Sequence, residues 1–463
     1  PTIYGHNALL AGASVAATPF DSSDQIERFS SRGPASYCWQ PVRGSAPAPA
    51  MNPCQTKQVD FAATDGVANS FFPGDGEGLR FYGTSAAAPH AAAVAALQRQ
   101  RQPCRTPAEI FAALRSSGRP VGAFQADAAG SGLIDAKTAV STLAQCPPGA
   151  PAMPAIVSLT RTSAKIAWAR PASLGSPITS YRITAYAGQA TTPSLTINTG
   201  STATNATVNG LAAGTLYRFR VAATNGVGTG PASGFTAFVV PPFASLAAFS
   251  SQQYVDFAGR PPTSAELSQA DAALIAGTGG ATPASQVVAA TRFTNWGPRV
   301  DPVTRLYYAF FKRPPDSGGL GYWAGRERAG AGLSAVASSF AGSSEFQNTY
   351  GTLSNYQFVE LVYQNVLGRP GDPDGVTFWT GQLDQHKRDR GEVMIGFSES
   401  TEHKTRRAGE VNTVDVFFGM LRRVPTSAEL TTWAPVTKAS KIALVTSILG
   451  TGAYADRTTG SAK

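Results

Sequence analysis

Four arginines, Arg260, Arg313, Arg369 and Arg423, recur at intervals of 53, 56 and 54 residues and commit the C-terminal half of this chain to one kind of architecture. Each follows an aromatic residue by six positions, at Tyr254, Tyr307, Tyr363 and Phe417, and each precedes a helix-capping residue by three, at Thr263, Asp316, Asp372 and Thr426. In the first and last copies Glu266 and Glu429 complete a Thr-x-x-Glu capping box, in which side chain and backbone satisfy each other's unpaired N–H groups. Leu267, Leu320, Val376 and Leu430 come next, and Trp323, Trp379 and Trp433 fall seven residues after the cap, with Ala270 in the first copy. The pattern predicts four units of about 54 residues over 243–463, each a helix ending near Arg, a tight turn, and a second helix that buries Trp. The recurring Arg is expected to complement the dipole at the end of the preceding helix. Asp372-Pro373-Asp374-Gly375 has the two carboxylates and glycine turn of a calcium loop. Asp372 stands where Thr263 and Thr426 stand, however, so capping accounts for it without a metal.

Upstream, Pro147-Pro148-Gly149-Ala150-Pro151-Ala152-Met153-Pro154 is stiff and cannot continue a helix, which makes it a linker. Residues 147–242 then alternate apolar and polar positions, as in Lys165-Ile166-Ala167-Trp168, Tyr181-Arg182-Ile183-Thr184-Ala185-Tyr186 and Tyr217-Arg218-Phe219-Arg220-Val221-Ala222. This is the period of strands in an antiparallel sandwich. The segment carries Arg161, Lys165, Arg170, Arg182, Arg218 and Arg220 and no acid, so most of the chain's formal charge of +9 sits here. Such a field suits anionic glycans or a cell surface, or merely solvates strand faces. No basic run is interleaved with aromatics, and nucleic acid is not indicated.

In the first third, Gly83-Thr84-Ser85-Ala86-Ala87-Ala88-Pro89-His90 runs into an alanine-rich helix. One reading is a Ser or Thr capping a core helix. The other is a nucleophile, since a serine at a helix mouth has its own N–H free for a developing oxyanion. All four cysteines, Cys38, Cys54, Cys104 and Cys146, lie in this third. Three pairings are open, Cys38–Cys54 with Cys104–Cys146 giving the shortest loops, and buried free thiols are the other reading. Only 14% of residues are charged while Gly numbers 47 and Pro 33, which suits a secreted, loop-rich protein. No apolar run reaches membrane-spanning length. Residue 1 is Pro, with no basic or apolar leader behind it, so an export signal is expected upstream.

Three resemblances follow from these stretches. Gly83 to His90 resembles the nucleophile motif of subtilisin-like serine proteases, with Ser85 in the nucleophile position. Ala13-Ser14-Val15-Ala16-Ala17, Phe29-Ser30-Ser31-Arg32-Gly33-Pro34 and Gly130-Ser131-Gly132-Leu133-Ile134-Asp135-Ala136 match in the family's order. The likeness spans 1–146 and the later part of the catalytic domain only. Residues 147–242 resemble a fibronectin type III domain through Trp168, the Gly175 to Tyr181 stretch, and Leu211, Gly214 and Tyr217 at a tyrosine corner. Residues 243–463 resemble the domain of unknown function numbered 4214, through Arg313-Pro314-Pro315-Asp316 with Trp323 and Asn365-Val366-Leu367-Gly368-Arg369-Pro370 with Trp379. The fold class implied is multidomain: partial α/β, then all-β sandwich, then all-α repeat.

The resemblance implies attack by Ser85 on a peptide carbonyl, and a protein or peptide as substrate. In this family the base histidine precedes the serine by roughly 150 residues, whereas only 84 precede Ser85. The Asp, the His and the Asn of the oxyanion hole are thus expected upstream, and the chain is expected to be inactive alone. Of the four histidines, His90 is turned about 140° from Ser85 along the helix and lifted by about 7.5 Å. His6 lies in the loop before Ala13, beside Asn7, and His386 and His403 belong to the helical half. No cofactor is implied. Structural calcium could use Asp65, Asp75 and Asp127, although aspartates beside glycine commonly make turns. A non-catalytic surface-binding or adhesion protein on a remnant protease scaffold is the alternative, with 147–463 holding a polysaccharide or other cell-surface ligand.

Overall fold

In the computed structural model, which describes residues 3–4, 8–42, 44–70, 79–122 and 126–459, the chain packs as three successive layers. The first centres on two parallel strands, Val15–Pro19 and Phe61–Asp65, paired from Val15↔Phe61 to Pro19↔Asp65. Leu133 adds a third parallel line beside Ala62, where Ala62 N–H donates to Gly132 O at 2.8 Å and Ile134 N–H to Ala62 O at 3.0 Å. Small side chains allow close approach: Ala17, Phe61 and Ala63 on the strands meet Ala87 and Ala91 of the helix Thr84–Arg101 in one buried cluster. Thr106 opens the helix Pro107–Ser116 with a capping box to Glu109. Both short-loop disulfides form, Cys38–Cys54 across the ribbon of Ala35–Trp39 and Ala50–Lys57, and Cys104–Cys146.

The second layer is a sandwich of a four-stranded sheet and a three-stranded sheet. Its core includes Ile166, Trp168, Tyr181, Ile183, Phe219 and Val221. Trp168 meets Tyr181 edge to face at 5.0 Å. The tyrosine corner is made by Tyr217, whose hydroxyl accepts from Ala212 N–H at 3.2 Å. The sandwich is joined to both neighbours. Asn225 Nδ2 donates to Cys146 O at 2.8 Å, and Arg161 donates to Gly450 O at 2.8 Å. Leu216 and Val240 of the sandwich belong to the same buried cluster as Phe243 and Phe249 of the helical layer.

The third layer is helical, and the repeat is explained by contacts. Thr263, Asp316, Asp372 and Thr426 all cap helices, at Ser264–Ala276, Ser317–Arg328, Pro373–Asp384 and Ser427–Thr437. The recurring Arg does more than face a dipole. Each guanidinium lies over the aromatic ring six residues earlier, at 5.9, 5.6, 5.2 and 4.9 Å from first to last copy. Each also forks onto a glutamate. In the outer copies that is the capping-box Glu266 or Glu429, and in the inner ones Glu345 or Glu402 from a later helix. The inner copies have Gly319 and Gly375 at the capping-box position because a Cβ there would lie 2.2 Å from the Tyr307 hydroxyl or 2.0 Å from that of Tyr363. Trp323, Trp379 and Trp433 are half-buried against the core.

Beneath this array, on the helix Gly297–Phe311, Asp301 has a buried Oδ1 with no hydrogen-bond partner among the described residues. Burial first, and the Asp415 carboxylate second, push its pKa from 3.8 up to about 7, while Lys441 and Arg305 pull the other way. A carboxyl raised in this way keeps a proton in the folded chain that the unfolded chain has released. Its contribution to stability therefore falls as pH rises from about 4 to about 7. We expect the stability of the wild-type chain minus that of Asp301→Asn to decline across that window and to level off above it. Urea denaturation at a series of pH values measures this, and a flat difference would contradict it.

Candidate active site around Ser85

The helix Thr84–Arg101 begins at the carboxyl end of the strand Phe61–Asp65, on the side of a parallel sheet where α/β folds bind ligands. Asp65 makes the connection: its Oδ2 accepts the Gly83 N–H at 2.8 Å. Gly83, rather than a serine or threonine, is the N-cap, and its φ of 115° is one that only glycine adopts without strain. Gly83 O accepts from Ala86 N–H at 2.8 Å and from Ala87 N–H at 3.1 Å. Ser85 is thereby the second helical residue, and it is exposed. Its N–H belongs to the first turn, which has no intrahelical acceptors, and lies at the positive end of the helix dipole. An exposed hydroxyl beside its own N–H is an arrangement that can act as a nucleophile with one oxyanion donor when a base is supplied.

The histidines are distributed as follows. His90 Nδ1 is bonded to Ala86 O at 2.9 Å, so it packs back on its own helix. His403 is buried in the helical layer, with Nδ1 bonded to Val366 O at 3.2 Å, and burial lowers its pKa to about 4. His386 lies in the same layer, at a φ of 53°. His6 and Asn7 lie outside the described residues. Of the three aspartates considered for calcium, Asp65 holds Gly83 and Asp127 pairs with Arg32 at 3.3 Å. Asp75 lies outside the described residues.

The role of Asp65 was not legible in its spacing. The carboxyl is fully buried and its Oδ1 has no partner among the described residues. Burial raises its pKa despite the Gly83 N–H, and Asp21 adds to the rise. Glu27 is raised as well, by burial, then Asp65, then Asp21. The one available signal was an acid ending the buried apolar run Phe61-Ala62-Ala63, where an unpaired charge would be costly. Nearby, Arg80 donates to Gly66 O at 3.0 Å and stacks on Phe20 at 3.8 Å.

A glycine-capped helix thus presents an exposed serine at the end of a pair of parallel strands, in a chain that continues into a β-sandwich and a helical array. Residues 5–133 match the model of the subtilase family, 149–239 that of the fibronectin type III domain, and 337–407 that of the domain of unknown function numbered 4214. The chain thus carries a subtilase-family segment, a fibronectin type III domain and a domain of that third family, in that order. Among solved structures, the twitchin kinase region from C. elegans is similar over 21% of this chain and 17% of its own, at 29% identity and a TM-score of 0.19. The chicken CNTN1 FN1–FN3 domains are similar over 20% of this chain and 33% of theirs, at 26% identity and a TM-score of 0.20. This chain therefore spans a third or less of the length of those structures. No curated protein matches it.

Proposed function

We propose that this chain is the serine-bearing part of a secreted subtilisin-like serine endopeptidase. The observation that carries the reading is the exposed Ser85 at a helix mouth whose glycine cap is held by a buried aspartate. Ser85 Oγ attacks a peptide carbonyl as a base takes its proton, and the Ser85 N–H receives the oxyanion. The tetrahedral intermediate expels the protonated amine, and water then hydrolyses the acyl-enzyme. The base and a second oxyanion donor come from outside the described residues, and the chemistry itself needs no cofactor. Asp65 positions the nucleophile turn. The two disulfides support an extracellular setting. The sandwich and helical layers hold the enzyme on a surface or polysaccharide.

A fluorophosphonate probe added to the protein as its native host produces it tests this reading. The expected adduct maps to the peptide containing Ser85 and disappears in Ser85→Ala; labelling that persists in the variant refutes the assignment. The alternative is a non-catalytic binding protein on a protease scaffold. Complete absence of labelling would select it.

A further inference from the structure

The helical layer contains a cavity of about 550 Å³, within the usual range of small-ligand sites of roughly 300–1,000 Å³. It opens between the start of the helix Gly297–Phe311 and the segment leading into the helix Ile442–Leu449. Four charged side chains line it: Arg292, Asp301, Arg305 and Lys441. Two of them are already neutralised. Lys441 donates to the fully buried Asp415 and, at 3.1 Å, to the Thr291 hydroxyl. Arg305 forks onto Glu399 at 2.7 and 2.8 Å. The other two are not. Arg292 has no ion-pair partner among the described residues, and Asp301 has a buried oxygen with no hydrogen bond. A buried carboxyl oxygen without a hydrogen bond is costly, and a ligand that donates to it would remove that cost.

These two groups restrict what fits. A simple anion would satisfy Arg292 but offer no donor to the unpartnered Asp301 oxygen. A simple cation would satisfy Asp301 and face Arg292. We propose that the cavity binds a small zwitterion, an α-amino acid or a short peptide with free termini, with its carboxylate on Arg292 and its ammonium on Asp301. The first turn of the helix Gly297–Phe311 also lines the cavity, through Gly297 and Pro298, and its positive end favours the carboxylate. Asn412 and Ser440 offer neutral hydrogen bonds to the ligand's backbone. The charged groups around Asp301 are Asp415, Lys441, Arg305 and Glu399. A bound ammonium adds positive charge to that set, so binding below about pH 7 releases a proton from Asp301.

Calorimetric titration of the full chain with L-alanyl-L-alanine tests the proposal. Saturable binding is expected, weakened about tenfold or more when the dipeptide is N-acetylated or C-amidated, because each cap removes one charged hydrogen bond. Asp301→Asn and Arg292→Gln should each weaken binding similarly while keeping the helical circular dichroism of the wild type. Titration at pH 6.5 in two buffers of different ionisation heat should show proton release that vanishes in Asp301→Asn. Three results would overturn the proposal: no saturable binding by the free dipeptide, equal binding by inorganic phosphate or galacturonate, or affinity unchanged in both variants.

Discussion

Replacing Asp415 by alanine is expected to destabilise the helical layer by roughly 3–5 kcal/mol, the cost of breaking a buried charge pair by removing one partner. Asp415 lies on the long helix Thr401–Leu421 with no exposed surface. Its Oδ1 accepts the indole N–H of Trp296, itself fully buried, and its Oδ2 accepts Lys441 Nζ. Burial alone would lower the Lys441 pKa, but Asp415, then Asp301, hold it above the ordinary value. Alanine would strand an indole donor and an ammonium together. Trp296 also packs on Phe257 at 5.2 Å and Phe418 at 5.9 Å, so a shift of the indole to reach water would disturb the first and last repeats at once. For a region of this size the loss corresponds to a fall in Tm of about 10 °C. Differential scanning calorimetry should show it in the helical transition. Asp415→Asn should cost less, because an amide oxygen still accepts the indole N–H. The double replacement Asp415→Leu with Lys441→Met should cost less than Asp415→Ala alone, since it removes both buried charges. If the double variant is the least stable of the three, the pair is not what holds these helices.

The contrast between this triad and the caps of the same helices shows what a sequence makes legible. Thr263, Asp316, Asp372 and Thr426 act within three residues of their own position, so residue type and spacing were sufficient to place them. The aromatic that precedes each Arg by six residues was visible as a pattern, but its meaning was not. A turn between the two brings the guanidinium over the ring, and that geometry has no counterpart in helical periodicity. The glutamates that pair with Arg313 and Arg369 lie 32 and 33 residues further on, on other helices. Trp296 and Asp415 are 119 residues apart and belong to no repeated motif. The same division holds at Ser85. The glycine, the serine and the small residues of the helix are local and were readable, whereas the support from Asp65 depends on a strand 18 residues upstream that ends beneath the helix mouth. A buried acid betrays itself in sequence only as a polar interruption of an apolar run, which leaves its partner unnamed.

A second buried carboxylate holds the subtilase-family segment together, and its loss is expected to be equally severe. Asp60 precedes the strand Phe61–Asp65 and accepts Ser14 N–H at 2.8 Å and Lys57 Nζ at 2.6 Å through Oδ2, and Arg115 Nε at 3.0 Å through Oδ1. Its backbone pairs in two directions as well, its N–H donating to Ser14 O at 3.0 Å and its carbonyl accepting Ser131 N–H at 3.0 Å. One residue thus clamps the start of the first strand, the ribbon end at Lys57, the helix Pro107–Ser116 and the turn before Leu133. Burial works to raise its pKa, but Lys57, the Ser14 N–H and Arg115 together hold it below 3.8. A carboxylate depressed in the folded state contributes stability above its unfolded pKa, and that contribution is lost as pH falls through the folded value. Acid unfolding of this segment should accordingly begin below about pH 4. Asp60→Ala should cost about 3–5 kcal/mol at neutral pH, chiefly because Lys57 is buried and, among the described residues, keeps only Gly12 O, at 2.7 Å, as an acceptor. Arg115 is half-exposed and can turn to water, so it adds little. Hydrogen exchange at the Ala62 and Ile134 amides, which bind the third parallel line to the strand, reads the effect directly. Protection there should fall by roughly two to four orders of magnitude, as the energy implies, while the tyrosine-corner amide of Ala212 stays protected. Equal losses at both places would mean that Asp60 stabilises the whole chain rather than the sheet that carries Ser85.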